Sequence, residues 1–352
     1  MVKTFDLRDG GKPAPRKPRG KRGRPKNDLD GWILLDKPQG LTSTQALAAV
    51  KRLFLPAKAG HAGTLDPLAT GLLPLALGEA TKTVPYVVDG EKSYRFTIRW
   101  GAQTDTDDSD GEVIATSDVR PSRDAIDAAL VTFVGEIEQI PPQYSAVKIN
   151  GQRAYDLARG GETVEIKPRT VTITRLEIVG EPSADEVTLE ADCGKGTYVR
   201  AIARDLGAAL GTAGHVTALR RTRVGPFGEA DMVTLDALSA SAEADTQAAL
   251  DGVLRKPADA LASVPALPVD QNASGRLRRG QAILLRPTDP VPDGLVRAMS
   301  GPHVVALCEP AAGELRPLKV FKPARHTIRI EPSAQAAPAA PAPTAPASGA
   351  AG

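Results

Sequence analysis

Residues 60–71 read GHAGTLDPLATG. One histidine, one aspartate, one proline and three glycines share these twelve positions, a mixture that suits neither a plain helix nor a plain strand. Pro67 fixes its own φ and pushes Asp66 out of the α region. Gly60, Gly63 and Gly71 open backbone shapes closed to other residues. Two compatible readings follow. A rigid loop presents the Asp66 carboxylate to a ligand, or Asp66 caps a helix that begins at Pro67.

Outward from this loop the chain alternates strands and helices. Residues 32–35 form a short apolar strand ending at Asp36, Lys37 and Pro38. Thr42, Ser43 or Thr44 then caps a helix with an apolar stripe of Leu47, Val50 and Phe54. Residues 94–100, YRFTIRW, alternate strictly, which puts Tyr94, Phe96, Ile98 and Trp100 on one face of a strand. Residues 122–134 read as a capped helix stopped by Gly135. Residues 170–179 and 186–193 read as paired strands across a turn. Residues 196–210 read as a helix striped by Val199, Ile202, Ala203 and Leu206 and closed by Gly211. Residues 237–266 are Ala/Asp-rich and helical in character. Short β-like pieces at 282–285, 295–299, 303–308 and 318–320 follow. The expected architecture is an α+β body over 31–265 and a small β-rich module over 266–330.

The 352-residue chain has no run of 18 apolar residues, so no membrane span is expected, and no apolar leader is visible. Its two cysteines, Cys193 and Cys308, lie far apart, and its four histidines show no ligand spacing. A cytoplasmic protein without a metal is expected. The net charge of +2 hides an asymmetry. Residues 1–30 carry ten Lys/Arg and four Asp/Glu, so the rest of the chain is mildly acidic. Residues 12–26, KPAPRKPRGKRGRPK, hold eight basic residues, four prolines and no acid. Residues 1–30 are therefore expected to form a disordered basic tail, which serves as a phosphate-attracting arm or as a solubiliser. The Ala/Pro-rich residues 331–352 are also expected to be disordered.

Eight segments together resemble the TruB family of tRNA pseudouridine synthases: GWILLDKPQG (31–40), GHAGTLDPLATGLL (60–73), EATK (79–82), GEKSY (90–94), TDTDDSDGEV (104–113), QIPPQYSAVKINGQRAYDLA (139–158), GKGTYVRAIARDLG (194–207) and ALRRTRVGPF (218–227). They occur in the family's order. The resemblance implies a mixed sheet with flanking helices and a C-terminal module like the PUA or TruB C-terminal RNA-binding domains. It implies isomerisation of uridine 55 in the T loop of tRNA to pseudouridine, without a cofactor, an obligatory protein partner or a membrane, by a monomer.

The same resemblance implies roles for individual residues. Asp66 matches the catalytic aspartate, which attacks C1′ or C6 or supports loss of the C2′ proton. Arg200 matches the arginine that pairs with it, and a planar fork suits a carboxylate better than a lysine does. Tyr94 matches the active-site tyrosine, although by pattern alone it is the first aromatic of a core face. Tyr198 and Leu219 match further walls of the uracil pocket. His61 matches a histidine that supports extrusion of the base, a step that costs a few kcal/mol. Lys37 is a candidate for backbone-carbonyl or phosphate contacts and Lys82 for a phosphate contact, with a solvated surface charge as the alternative for both, and Asp108 matches an acid of the active-site network. Residues 139–158 read as an RNA-facing insertion with Tyr144 and Lys148 as contacts. Arg220, Arg221 and Arg223 read as a basic cluster facing RNA, and Arg204 as a phosphate contact or an ion-pair partner. The calcium-loop flavour of DTDDSDG fails for want of its terminal glutamate.

Two other functions remain compatible with these residues. One is a tRNA-folding protein whose catalysis is secondary. The other is a guide-RNA-dependent relative of the dyskerin type. Removal of residues 1–28 is expected to weaken RNA affinity at low salt and to flatten the dependence of affinity on salt, because fewer counterions are released. An unchanged slope in a salt titration would make the segment a solubiliser.

Overall fold

The computed structural model describes residues 26–145, 147–149, 152–153, 165–286 and 293–323. The residues 1–25, most of 146–164 and the Ala/Pro-rich end lie outside it, and with them both expected tails and Lys148's side chain. Ordered structure reaches back into the segment read as the basic tail. Asn27 bonds to Leu55 O and through its side chain to Phe54 O, and Leu29 is buried.

A ten-stranded mixed sheet forms the body. Its main path runs Val233–Thr234, Gly31–Lys37, Thr70–Leu77, Gly214–Val224, Lys92–Trp100, Glu186–Cys193, Arg169–Ile178 and Gly135–Gln139. Pairing is antiparallel except where Gly31–Lys37 meets Val233–Thr234 and where Thr70–Leu77 meets Gly214–Val224. The alternation in YRFTIRW does what its period requires: Tyr94, Phe96, Ile98 and Trp100 are buried, and Arg95 and Arg99 face outward. Phe96 and Ile98 share one core with Val50 and Phe54 of the Ser43–Phe54 helix and with Ile202 and Leu206 of the Val199–Ala209 helix. A second core lies on the opposite face, where Trp32 packs on Phe227 at 5.5 Å between ring centroids.

The helix Ser43–Phe54 starts as its sequence suggests. Thr42 accepts from Gln45 N, and the Gln45 side chain returns to Thr42 N, completing a capping box. No helix follows Pro67. Asp66 O accepts from Ala69 N in a turn, and the chain enters the strand Thr70–Leu77 directly. The capping role for Asp66 is thereby removed, and its side chain is left for other work. Among the strands that escaped the sequence reading, the two longest are Thr70–Leu77 and Gly214–Val224. The first is buried on both faces and lacks alternation, and the second carries bulges at Val216/Ala218 and Arg221/Arg223 that break its period.

The C-terminal module is a five-stranded sheet in the order Ala266–Pro268, Val296–Ser300, His303–Ala311, Glu314–Val320, Ile283–Leu284. It carries the helix Gln271–Arg278, capped by Asp270. The expected α+β body with a β-rich C-terminal module is the fold observed. Among the described residues no helix is long and apolar enough to cross a membrane.

Gly71 shows how tightly the loop is seated. Its φ is +94°, and a Cβ there would lie 2.3 Å from Arg221 O and 2.9 Å from Arg221 N. Gly71→Ala is therefore expected to destabilise the protein by at least ~2 kcal/mol, measured by denaturant unfolding.

Candidate active site

The loop between Ala62 and Ala69 runs over the end of the sheet, and its side chains sort by chemistry. Leu65 and Leu68 are buried in the main core, while the Asp66 side chain keeps 37% of its surface exposed. The Ser43 hydroxyl accepts from Leu65 N at 2.8 Å and donates to Leu65 O, which pins the residue before Asp66.

Beneath the exposed carboxylate lies Arg200, on the second residue of its helix and only 5% exposed in its side chain. One of its terminal nitrogens lies 2.9 Å from Asp66 Oδ2 and donates to Tyr144 O at 2.9 Å. The other lies 3.5 Å from Asp108 Oδ2 and donates to Thr106 O at 2.8 Å. Asp108 is fixed in turn, since its Oδ1 accepts from Thr106 Oγ1 at 2.6 Å and from Asp110 N at 3.1 Å. Arg200 thus stands between two carboxylates, one rigid and buried, one open to a ligand.

The Asp105–Asp110 segment is held against the bulged strand. Ser109 N donates to Val216 O, and Val216 N donates to Asp107 O. Arg204, one turn after Arg200, contacts Asp107 and Asp205 at 3.1 and 2.8 Å, so of its two expected roles it takes the ion pair. Burial pushes the Asp107 carboxyl above its ordinary range, against the opposing charges of Arg204 and Arg200.

Tyr94 is 9% exposed and lies across the sheet from Arg221, its register partner and hydrogen-bond partner. Burial raises its phenol, with the Arg221 charge acting the other way. Tyr198 precedes its helix, and the Gln139 side chain clamps its peptide by accepting from Tyr198 N at 2.8 Å and donating to Tyr198 O at 3.2 Å. Its ring packs on Val147 and Ile166, and burial raises its phenol also. The negative charge of Asp66 acts on both phenols, so the two rings and the carboxylate share one neighbourhood. Leu219 is buried in the same core as Tyr94 and pairs with Phe96. His61 Nδ1 is buried. Burial and then the Arg221 charge hold its imidazole below the ordinary range, so it is neutral at physiological pH.

The two lysines differ. Lys37 is fully buried, and its ammonium donates to Leu41 O at 2.7 Å, Pro38 O at 2.9 Å and Pro67 O at 3.4 Å. It therefore ties the Asp66 loop, at Pro67, to the Pro38–Leu41 turn through backbone carbonyls. Lys82 sits in the seam between body and C-terminal module. It bonds Glu79 and Val320 O and lies 5.6 Å over the Phe321 ring, while Glu79 also accepts from Lys322 N. Those contacts commit it to joining the two parts rather than to a phosphate.

The arginines after Leu219 also depart from the expected RNA-facing cluster. Arg220 binds both oxygens of Asp36 at 3.0 Å and reaches Glu229. Arg223 pairs with Glu91 and Asp192. Arg221 is 1% exposed and donates to the backbone carbonyls of Gly63 and Thr64 in the Asp66 loop and of Leu72 beyond it. A signal for Arg221 existed, since an inward Leu219 on a strand puts the residue two places on at the same face.

This geometry can now be set beside known proteins. A family model described as TruB family pseudouridylate synthase (N terminal domain) matches residues 51–199, and one described as tRNA pseudouridylate synthase B C-terminal domain matches residues 200–263. A protein of Bradyrhizobium diazoefficiens named tRNA pseudouridine synthase B is 56% identical over 301 residues, 85% of this chain and 87% of the relative.

The chain belongs to the TruB family.

A namesake from Caulobacter vibrioides is 53% identical over 308 residues, 85% of this chain and 98% of the relative. Among solved structures, the crystal structure of a Cbf5-Nop10-Gar1 complex matches with a TM-score of 0.65 at 27% identity, covering 84% of this chain and 86% of that one.

Burial draws the Lys37 ammonium down to about 8, with the Asp66 charge opposing and the Arg221 charge assisting. Its folded-state value lies below that of the unfolded chain. Its contribution to stability therefore rises with pH from about 8 to about 10.5 and is lost as pH falls back to 8. In an NMR titration of lysine side chains, the Lys37 Cε resonance is expected to move with a midpoint near 8. A midpoint in the ordinary lysine range near ~10.4 would remove the asserted burial effect.

Proposed function

We propose that this pseudouridine synthase isomerises uridine 55 in the T loop of tRNA, with Asp66 as the reacting carboxylate and no cofactor. The reaction conserves atoms. The N1–C1′ bond breaks, the uracil turns, C5 joins C1′, and the C5 proton is replaced by one on N1. No electron or group donor enters, so the work falls to a placed anion and a closed pocket.

The observation that carries the reading is the Asp66–Arg200 contact at 2.9 Å, with the carboxylate open and the guanidinium buried. A carboxylate held through Oδ2 can offer its other oxygen to a nucleoside at its sugar–base junction. Arg200 cannot wander, because its two terminal nitrogens also donate to Thr106 O and Tyr144 O and one of them lies 3.5 Å from Asp108 Oδ2. Tyr94 and Tyr198 offer aromatic walls with neutral phenols for an extruded uracil, and Leu219 an apolar one. The neutral His61, beside the catalytic loop, suits the space the base vacates. The relatives named tRNA pseudouridine synthase B support a tRNA substrate.

A guide-dependent activity has one supporting observation, the likeness to the solved Cbf5 complex at 27% identity. The 56% identity to a protein named for tRNA outweighs it. Purified protein mixed with an unmodified tRNA transcript and nothing else decides between them. Pseudouridine mapped at a single T-loop position supports the tRNA reading, and no product without a guide RNA refutes it. Asp66→Asn is expected to lower the rate by at least ~10³-fold while T-arm binding changes by no more than about threefold. An active Asp66→Asn would show that the carboxylate is not the reacting group.

A further inference from the structure

Arg221 is a buried guanidinium without a carboxylate in direct contact among the described residues. Desolvation is its dominant electrostatic influence and pulls it below its ordinary range. Such a group is costly to bury, and its contacts must explain why it is there. Its Nε donates to Leu72 O at 2.8 Å, Nη2 to Gly63 O at 3.2 Å and Nη1 to Thr64 O at 3.4 Å. Gly63 and Thr64 begin the loop that carries Asp66, and Leu72 lies just past its end. One planar fork therefore ties together the point where the loop leaves and the point where it returns. It also bonds the Tyr94 hydroxyl.

The loop is cut to fit this group. A Cβ on Gly63 would lie 3.3 Å from Arg221 Nη1, and Gly63 has φ +94°. A Cβ on Gly71 would strike the Arg221 backbone. Two of the three glycines in GHAGTLDPLATG thus mark where the chain closes around one arginine. A lysine has a single point of donation and cannot span carbonyls on both sides of the loop and the phenol together.

We infer that Arg221 is a positioning residue of the reaction: it sets the distance between the Asp66 carboxylate and the Tyr94 ring by holding the loop and the phenol in one hydrogen-bonding fork. Arg200 touches the carboxylate itself, whereas Arg221 acts only through the backbone of the loop and through Tyr94. This inference rests on the reading of Asp66 as the reacting group.

The test uses the full chain and an unmodified T-arm stem-loop, with Asp66→Asn as reference. Single-turnover rate, stem-loop affinity, thermal midpoint and hydrogen exchange over residues 62–72 are measured for Arg221→Lys, Tyr94→Phe and the double variant. Arg221→Lys is expected to lower the rate by about 100-fold, as a misplacement near 1 Å would, with affinity held within about threefold. The two substitutions are expected to be non-additive, the double variant losing less than the product of the single losses. Loop exchange is expected to accelerate in both single variants. A near-wild-type rate in folded Arg221→Lys overturns the inference, as does a lowered thermal midpoint with an unchanged rate. If Arg221→Lys does not fold, Tyr94→Phe decides, since it keeps the ring and removes one tether. Faster loop exchange supports the inference, and exchange identical to wild type overturns it. An active Asp66→Asn would sink the reading of the carboxylate separately, leaving loop exchange to judge Arg221.

Discussion

A half-exposed carboxylate set over buried cations is the constraint on which the rest of the structure depends. Lys37, Arg200 and Arg221 are each nearly or fully removed from water, and each would be expensive there alone. The chain meets that cost with backbone carbonyls. Lys37 takes those of Pro38, Leu41 and Pro67; Arg200 takes those of Thr106 and Tyr144; Arg221 takes those of Gly63, Thr64 and Leu72. Of these three cations only Arg200 forms an ion pair with Asp66 among the described residues. The positive charge is thus distributed around the loop while one oxygen-bearing side chain remains open to solvent. Such an arrangement is preorganised: the dipoles are placed before substrate arrives.

The sheet supplies the rigidity that this arrangement needs. Tyr94, Leu219 and Arg221 all stand on the paired strands Lys92–Trp100 and Gly214–Val224, whose register fixes their spacing. The bulge at Val216/Ala218 does a second job. It lets the Asp107–Ser109 segment dock on Val216, and that segment carries the Asp108 carboxylate to Arg200. The seam with the C-terminal module is built differently, from Glu79, Lys82 and the Val320–Lys322 backbone. There the EATK segment joins two parts of the molecule and does not face the Asp66 loop.

Much of this was legible in the chain. Strict alternation exposed the Lys92–Trp100 strand because its two faces differ, one packed against helices and one carrying arginines. The capping residues Thr42 and Ser122 marked their helices because a side-chain oxygen must satisfy a nearby amide. Thr70–Leu77 hid itself because a strand covered on both faces is apolar throughout, with no period to read. The arginines 220, 221 and 223 were misjudged as one patch because adjacent residues on a strand face opposite ways, and the bulge between Arg221 and Arg223 changed the count again.

The sequence alone determined the loop chemistry of residues 60–71, the helical and β character of most elements, and through eight ordered motifs the family. Those properties are local: proline and glycine dihedrals, hydrophobic period and capping act over a few residues. The resemblance already pointed to Arg200 as the partner of the carboxylate, but which arginine holds carbonyls and which is spent on salt bridges was decided only by the tertiary structure. Arg221 reaches a carbonyl 158 residues away in the chain, and no local preference encodes that partner. Partner choice is set by which strands pair, in what register, and by the demand that every buried charge find something to bond.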